Sequence, residues 1–511
     1  MMTKNTTFGT FRKESAGGRY AWLPIAIIMA ISAVLFTFRL GAEGVWIDEL
    51  FSIQDASLDS LWEVYRKSQL RPLYYILLSF WMRFGQSDVW LRSLSVIFSV
   101  ISVFLIYRLG RRLAGKTEGL IAAVLLMTSP LFINHTQEIR MYGLSLCLGL
   151  AGSLFLAEAL LTESSDKPSQ KTLGGWALFR LLAMCTVPLN VMLLLPDTLL
   201  IFLRFRRERS VLLSFAKWLV LVFILWTPAL LPAFQNVVGS SDYAQERAKF
   251  AEAPGINNLV YPLKFWMVYP FVVKGRPVAH IFYKLFTLLI AGLVGAGLIR
   301  RRQLPALPWA SAWFILPIVP IIVLSLVAAR LWEPRYVLFV SPYLFILMAA
   351  GFTRLWRDWK KAAVVITVIY AIGMGGALAD YYTAQNRADY KFNIETIEQY
   401  EEPGDAVVWG YPWKNALDHY YDGSSDIFLI SERKDDAPTE TISTPEEIEQ
   451  WVNKFPSQPS RTWLVVEKFK SELAEELEPI LSKTYNIEER FDYNHNSAIF
   501  LLTPLETASK N

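Results

Sequence analysis

About eleven runs of apolar residues, each near the length needed to cross a bilayer, leave this chain few folds to choose from. A spanning helix needs ~20 mostly apolar residues, because every backbone polar group must be satisfied within the segment. The first run covers Trp22 to Leu40, and others fall at about 91–109, 118–133, 141–161, 211–231, 307–327 and 362–379. A stretch from 176 to 204, broken by Pro188, Asn190, Pro196 and Asp197, reads as a hairpin of two short spans. Two further runs end at Arg300-Arg301-Arg302 and at Arg354. With 53% hydrophobic residues and 18 Trp among 511, an ordinary soluble enzyme is excluded. The expected fold is a polytopic α-helical membrane protein of about eleven spans, carrying a small C-terminal α/β domain.

Charge sets the expected orientation. Residues 1–20 are polar and basic (Lys4, Arg12, Lys13, Arg19), and the first run is longer than a signal-peptide core and lacks a small-x-small exit. Short loops ending in Arg108, Arg111, Arg112 and Lys116, in Arg204, Arg206, Arg207 and Arg209, and in Arg354, Arg357, Lys360 and Lys361 are basic as well. Excess Lys and Arg on short loops marks the cytoplasmic side. The chain is thus expected to be a plasma (inner) membrane protein with a cytoplasmic tail (1–20), a transmembrane domain (21–380) and an extracytoplasmic domain (381–511). Long outer loops are expected at 41–90 and 232–278, the latter holding Asp242, Glu246, Arg247, Lys249, Lys264, Lys274 and Arg276. Within the first, Leu58–Ser68 and Pro72–Phe84 read as interfacial helices with aromatic residues at headgroup depth. Cys147 and Cys185 both lie in apolar runs and imply no disulfide.

After Asp380, extended segments are expected at Ala406–Gly410, Ile427–Ile430, Thr462–Glu467 and Ala498–Leu502, with helices at 445–454 and 471–482. That alternation describes an α/β domain. It holds no phosphate-binding loop, zinc spacing or nucleophile elbow, and no chemistry is assigned to it.

Three patches can carry chemistry, and all are expected on the non-cytoplasmic face. The first is Asp48-Glu49, set among Trp46, Ile47, Leu50 and Phe51 where the first span ends. A partly desolvated carboxylate is a better base than a solvated one; the structural alternative is an acidic loop facing water. The second is Asn134-His135-Thr136-Gln137-Glu138-Ile139-Arg140-Met141-Tyr142, a turn too short to carry Glu138 and Arg140 away from the membrane. Its structural alternative is a Glu–Arg pair closing a helical hairpin. His135 reads as a metal ligand or proton carrier on one view, and as a hydrogen-bonded structural residue on the preferred one. The third patch is Arg71, Arg140 and Arg335, placed to grip phosphate oxygens or, alternatively, to snorkel to headgroups.

The ordered set Trp46-Ile47-Asp48-Glu49, Arg71-Pro72-Leu73-Tyr74-Tyr75, Leu109-Gly110-Arg111-Arg112-Leu113-Ala114-Gly115, Ser129-Pro130, Gln137-Glu138-Ile139-Arg140-Met141-Tyr142 and Pro334-Arg335-Tyr336 resembles the GT-C superfamily of membrane glycosyltransferases. Within it, the chain is similar to the bacterial branch of protein O-mannosyltransferases and lipid A aminoarabinose transferases, over about residues 20–380. The resemblance implies inverting transfer of a sugar from a polyprenyl-phosphate donor on the non-cytoplasmic side. Asp48 would be the base on the acceptor, with Glu49 supporting it. Glu138, Arg140 and Tyr142 would form the second outer motif, and Arg71, Arg335 and Tyr336 would hold the donor phosphate. The sequence departs from the branch at Leu70-Arg71-Pro72, where relatives often have His-Pro-Pro, and near Val187, Pro188 and Asn190, where they often have His-Tyr.

The expected partners are the lipid-linked donor, a glycan, lipid or protein acceptor and the bilayer, with no nucleic acid. No cofactor is required by the sequence, and no metal ligand set is identified, although a divalent metal stays open because distant members of the superfamily use one. The competing classes are a flippase or transporter of lipid-linked glycans and a non-catalytic envelope assembly protein. A transporter calls for ionisable residues at mid-membrane and internal repeats, and Arg180, Asp197 and Lys217 form no evident pathway.

Overall fold

The computed structural model describes residues 20, 22–68, 70–162, 166–239, 277–299, 306–327 and 332–383, then 390–411, 414–429, 449–450, 452–453, 455, 461–467, 473–493 and 497–505. These residues fall into two compact units. One is helical and contains the chain up to Leu40 and from Leu58 through the apolar runs; the other joins Gly41–Ser57 to the described residues beyond 385. The first expected outer loop is thus divided, its opening stretch grouping with the C-terminal part of the chain. The residues of the second outer loop between 240 and 276 lie outside the described residues.

The helical unit runs α1 (Leu23–Thr37), α3 (Leu61–Lys67), α4 (Pro72–Met82), α5 (Asp88–Leu113), α6 (Lys116–Met127), α7 (Pro130–Thr136), α8 (Tyr142–Leu160), α9 (Gln170–Met184), α10 (Leu194–Phe205), α11 (Arg209–Gly239), α12 (Pro277–Ile299), α13 (Leu307–Val327), α14 (Ser341–Asp358) and α15 (Lys360–Thr383), with α2 (Ile47–Ala56) assigned to the other unit. Among the described residues seven helices are long and apolar enough to cross a membrane, or eight if the bent pair α6–α7 is one span. The multi-pass membrane class holds, while length and composition alone do not reach the count of eleven. The expected third span is two helices bent by 64°. Pro130 opens the second of them, where its missing N–H breaks the preceding ladder. The expected hairpin resolves as α9, a 3-10 turn at Pro188–Leu193 and α10.

Small residues let these helices approach. A Cβ on Gly110 would stand 2.9 Å from the Gly119 Cα, and one on Gly119 would stand 2.6 Å from the Tyr107 carbonyl oxygen. The basic motif Leu109–Gly115 therefore does structural work in closing α5 on α6, and Gly115 supplies the turn with φ +131°. Helix α4 is pinned to α5 by Trp81 and Trp90. Their rings stack at 4.7 Å, and each indole N–H donates to the other's carbonyl oxygen, at 2.9 and 3.1 Å.

Inside the bundle sits an ion pair. Arg180 on α9 donates from Nε and Nη2 to the two oxygens of Asp197 on α10, at 2.6 and 3.1 Å, with both side chains fully buried. Trp176 and Trp313 donate their indole N–H groups to the same carboxylate at 2.8 and 2.7 Å. Arg180 also donates to the Gly149 carbonyl and to Ser153 Oγ, both at 2.7 Å, and Ser153 is 2.6 Å from the Tyr343 hydroxyl. Gly152 makes room for the guanidinium, since a Cβ there would lie 3.1 Å from Nη1. One charge pair so joins α8, α9, α10, α13 and α14.

The second unit contains a five-stranded sheet of order β2-β1-β3-β5-β4, from β1 (Ala406–Trp409), β2 (Asp426–Leu429), β3 (Thr462–Glu467), β4 (Tyr485–Tyr493) and β5 (Ser497–Pro504). β1 is parallel to β2 and β3, while β5 is antiparallel to β3 and β4. The helices are α16 (Tyr390–Tyr400), α17 (Asn415–Tyr420) and α18 (Leu473–Leu481). α18 lays Leu477 and Leu481 onto a core of Val408, Leu464, Val466, Phe500 and Leu502.

Replacing either member of the Arg180–Asp197 pair by Leu leaves a buried charge unpaired, which costs about 3–5 kcal/mol, whereas removing both avoids that charge. Thermal unfolding in detergent should show a large drop in the midpoint for Arg180→Leu and for Asp197→Leu, and partial recovery in the double variant. Single variants as stable as the parent would contradict this role for the pair.

Candidate active site

The acid pair begins a helix. Trp46 is extended (φ −99°, ψ 171°), and the Glu49 carboxylate turns back to accept its backbone N–H at 3.2 Å. That is the glutamate half of a capping box, satisfying one of the unpaired donors at a helix N-terminus. Glu49 is fully buried, whereas Asp48 is half-buried in the same first turn, where the helix dipole favours a carboxylate. Leu50, Ile53 and Ala56 form the buried face of α2. The helix is held within its unit by α17: the Val45 N–H donates to the Tyr420 hydroxyl at 2.9 Å, and Asn415 donates to Gln54 at 2.8 Å. Glu49, grouped with Asp48 by sequence, thus acts on the backbone that presents Asp48.

The second motif lies in the helical unit and is buried from Asn134 through Tyr142. Glu138 leaves the end of α7 and turns back on it, accepting from Asn134 Nδ2 at 2.8 Å and sitting 2.7 Å from His135 Nδ1. Gln137 ties the turn to its neighbours: its amide donates to the Phe36 and Phe38 carbonyls at 3.0 and 2.8 Å and accepts from the Tyr381 hydroxyl at 2.8 Å. Ser95 on α5 donates to the Arg140 carbonyl at 3.0 Å. The His135 ring lies 4.5 Å from the Tyr142 ring.

Tyr142 shares an electrostatic neighbourhood with several sequence-separated candidates. Its hydroxyl is within electrostatic reach of Arg140, Arg335, Tyr336 and Glu138. Arg335 itself stacks over the Tyr336 ring at 5.2 Å. Five of the expected residues, nearly two hundred positions apart along the chain, therefore share one surround. Arg71 is placed by different elements: it precedes α4, stacks over Tyr75 at 5.9 Å, and neighbours Leu73, whose N–H donates to the Cys185 carbonyl at 3.2 Å. Asp48 and Glu49 belong to the other unit. His135, read from sequence as structural, is in contact with this cluster. Its spacing of three from Glu138, with Asn134 at four, is the legible signal, since such spacings share a helix face. Among the described residues no three His, Cys, Asp or Glu side chains gather as a metal site.

Residues 71–231 match the family model described as dolichyl-phosphate-mannose-protein mannosyltransferase. The structure is similar to that of ArnT from Cupriavidus metallidurans bound to undecaprenyl phosphate, with TM-score 0.55 and 13% identity over 96% of this chain and 100% of that one. The chain has the GT-C fold. The archaeal oligosaccharyltransferase AglB from Archaeoglobus fulgidus, in complex with an inhibitory peptide and a dolichol-phosphate, is similar at TM-score 0.51 and 11% identity, over 96% of this chain and 77% of that one. No curated protein sequence matches the chain.

If Glu49 caps α2 and Asp48 does not, the two acids separate in stability measurements. Glu49→Ala should weaken the helix by ~1 kcal/mol, seen as faster hydrogen exchange across residues 47–56, while Asp48→Asn, which loses only its charge at the helix N-terminus, has the smaller effect. Equal effects of the two substitutions would remove the distinction.

Proposed function

We propose that this GT-C protein is a glycosyltransferase that moves a sugar, with inversion, from a polyprenyl-phosphate donor to an acceptor. The electrostatic reach of Arg140 and Arg335 to the buried Tyr142, with Tyr336 stacked on Arg335, carries the reading, because it puts positive charge and hydroxyl groups in one neighbourhood of a membrane-embedded unit. A lipid phosphate is the anion that reaches such a place. The likeness to ArnT bound to undecaprenyl phosphate supports the donor class, and the mannosyltransferase family match over 71–231 supports the reaction.

In this reading Asp48 accepts the proton of the acceptor hydroxyl or amine as that atom attacks the anomeric carbon. The bond from that carbon to the phosphate oxygen breaks, and its electrons pass to the phosphate. Base catalysis of this kind supplies about 10²–10⁴-fold. Arg335 and Arg140, with Tyr336, stabilise the charge that grows on the leaving phosphate, a contribution of a few kcal/mol per well-placed donor. Arg71 is assigned to the same phosphate through the family resemblance. Phosphate is already a competent leaving group, so the reading includes no cofactor. In this reading the N-terminus lies on the cytoplasmic side of the plasma membrane and transfer occurs on the opposite side, which the basic short loops support.

Purified protein offered a panel of polyprenyl-phosphate sugars, with products identified by mass spectrometry, tests the reading and identifies the sugar. Asp48→Asn should lower turnover by at least ~10²-fold while donor binding is retained, and undiminished turnover would remove Asp48 from catalysis. Arg335→Gln should raise the donor KM more than the acceptor KM. The reverse pattern would move Arg335 to the acceptor side.

A further inference from the structure

The roles above leave His135 unused, although it is only 6% exposed and sits in the same surround as Tyr142. Its Nδ1 is 2.7 Å from Glu138 Oε2, and the other carboxylate oxygen accepts from Asn134. Against an ionised Glu138, which can only accept, Nδ1 carries a proton and donates it. The ring is thereby fixed in orientation, and its chemistry is confined to Nε2. That nitrogen is buried and makes no hydrogen bond in the structure; the same holds for the Tyr142 hydroxyl, whose residue is 4% exposed. Buried polar atoms without partners are uncommon in folded proteins, and here two belong to neighbouring rings.

The chemistry of a ligand for them follows from their neighbours. Arg140 and Arg335 lie within electrostatic reach of Tyr142 and favour an anion. Glu138 is the opposing charge, and its two oxygens are engaged by Asn134 and His135. We propose that His135 Nε2 and the Tyr142 hydroxyl are ligands of the donor's phosphate, with Glu138 orienting the imidazole. This rests on the glycosyltransferase reading and adds to it two direct phosphate contacts that the arginines do not provide. With phosphate bound, the ring is an imidazolium lying between two anions: Nδ1–H donates to Glu138 and Nε2–H to a phosphate oxygen. His135 and Tyr142 thus complete the arginine site with short, directional donors that distinguish phosphate from other lipid headgroup atoms.

Histidine labelled with ¹⁵N gives a direct test, because the chain has only four histidines and His135→Asn assigns the relevant ring signals. The probes are undecaprenyl phosphate and undecaprenol, added separately to the full-length protein in nanodiscs. Undecaprenyl phosphate should move the His135 Nε2 resonance, and undecaprenol should leave it in place. Two substitutions separate the ring's two faces: Asn preserves a donor near Nδ1 and loses Nε2, whereas Gln preserves a donor near Nε2. His135→Asn should weaken undecaprenyl phosphate binding about tenfold, with Tyr142→Phe acting in the same direction and His135→Gln retaining most of the affinity. A purely structural histidine would give the opposite ranking of Asn and Gln. An Nε2 resonance unmoved at saturating undecaprenyl phosphate overturns the proposal, even where the variants prove too unstable to assay. Sugar transfer by wild-type protein with a silent Nε2 overturns this assignment alone. Absence of both transfer and undecaprenyl phosphate binding overturns the glycosyltransferase reading as well.

Discussion

The helical unit depends on a charge pair that has no access to water. Asp197 receives four hydrogen bonds, two from Arg180 and one each from Trp176 and Trp313. In a low-dielectric interior such saturation is what makes two buried ions tolerable, since any unfilled lone pair would add a desolvation penalty. The pair specifies an arrangement more than it supplies net stability. Five helices must be in register for Gly149, Ser153, Tyr343 and the two tryptophans to meet it. A transport pathway would need ionisable groups that can exchange partners. Here the mid-bundle carboxylate has its hydrogen bonds filled by fixed donors, which is the behaviour of a structural centre.

The motif around Glu138 follows a different rule. Its backbone is held as firmly, with Gln137 bridging α1 and α15 and Ser95 holding the Arg140 carbonyl. Its side chains are less fully engaged: His135 Nε2 and the Tyr142 hydroxyl lack partners although both are buried. Rigid support beneath incompletely satisfied polar atoms is the pattern expected where a ligand completes the hydrogen bonding, because preorganised donors need no reorganisation when charge develops. The two buried polar centres of the helical unit therefore contrast in saturation.

Much of this was legible in the chain itself. Apolar run length gave the membrane class, and Pro72 and Ser87 set the starts of α4 and α5 through ordinary helix-start chemistry. β3 begins and ends at the residues expected of it, Thr462 and Glu467. β4 was missed because Glu488, Glu489 and Arg490 interrupt its alternation, where a register shift falls between Ile487 and Glu489. As an edge strand it tolerates charges that a central strand would exclude. Charge on one expected face groups Arg335 with Arg140, but no local pattern reports that Tyr142 lies in the same surround. Glu49's capping role was open to sequence reasoning, because a Glu three residues into a helix commonly reaches back to the cap. Its pairing with Asp48 drew attention to chemistry and away from that geometry.

The cap also bears on the C-terminal domain, which carries no catalytic motif of its own. Gly41–Ser57 group with that domain, and α2 is fastened there by Tyr420 and Asn415. A ten-residue helix is marginal in isolation. Its persistence requires the buried face of Leu50, Ile53 and Ala56 as well as the Glu49 cap. Asp48 is therefore displayed on an element whose stability derives from the sheet-containing unit, although the chain enters α2 directly from the helical one. The absence of active-site motifs in the C-terminal domain is then no argument against its having a part in function. By holding α2 through Tyr420 and Asn415, that unit fixes the backbone on which Asp48 is carried.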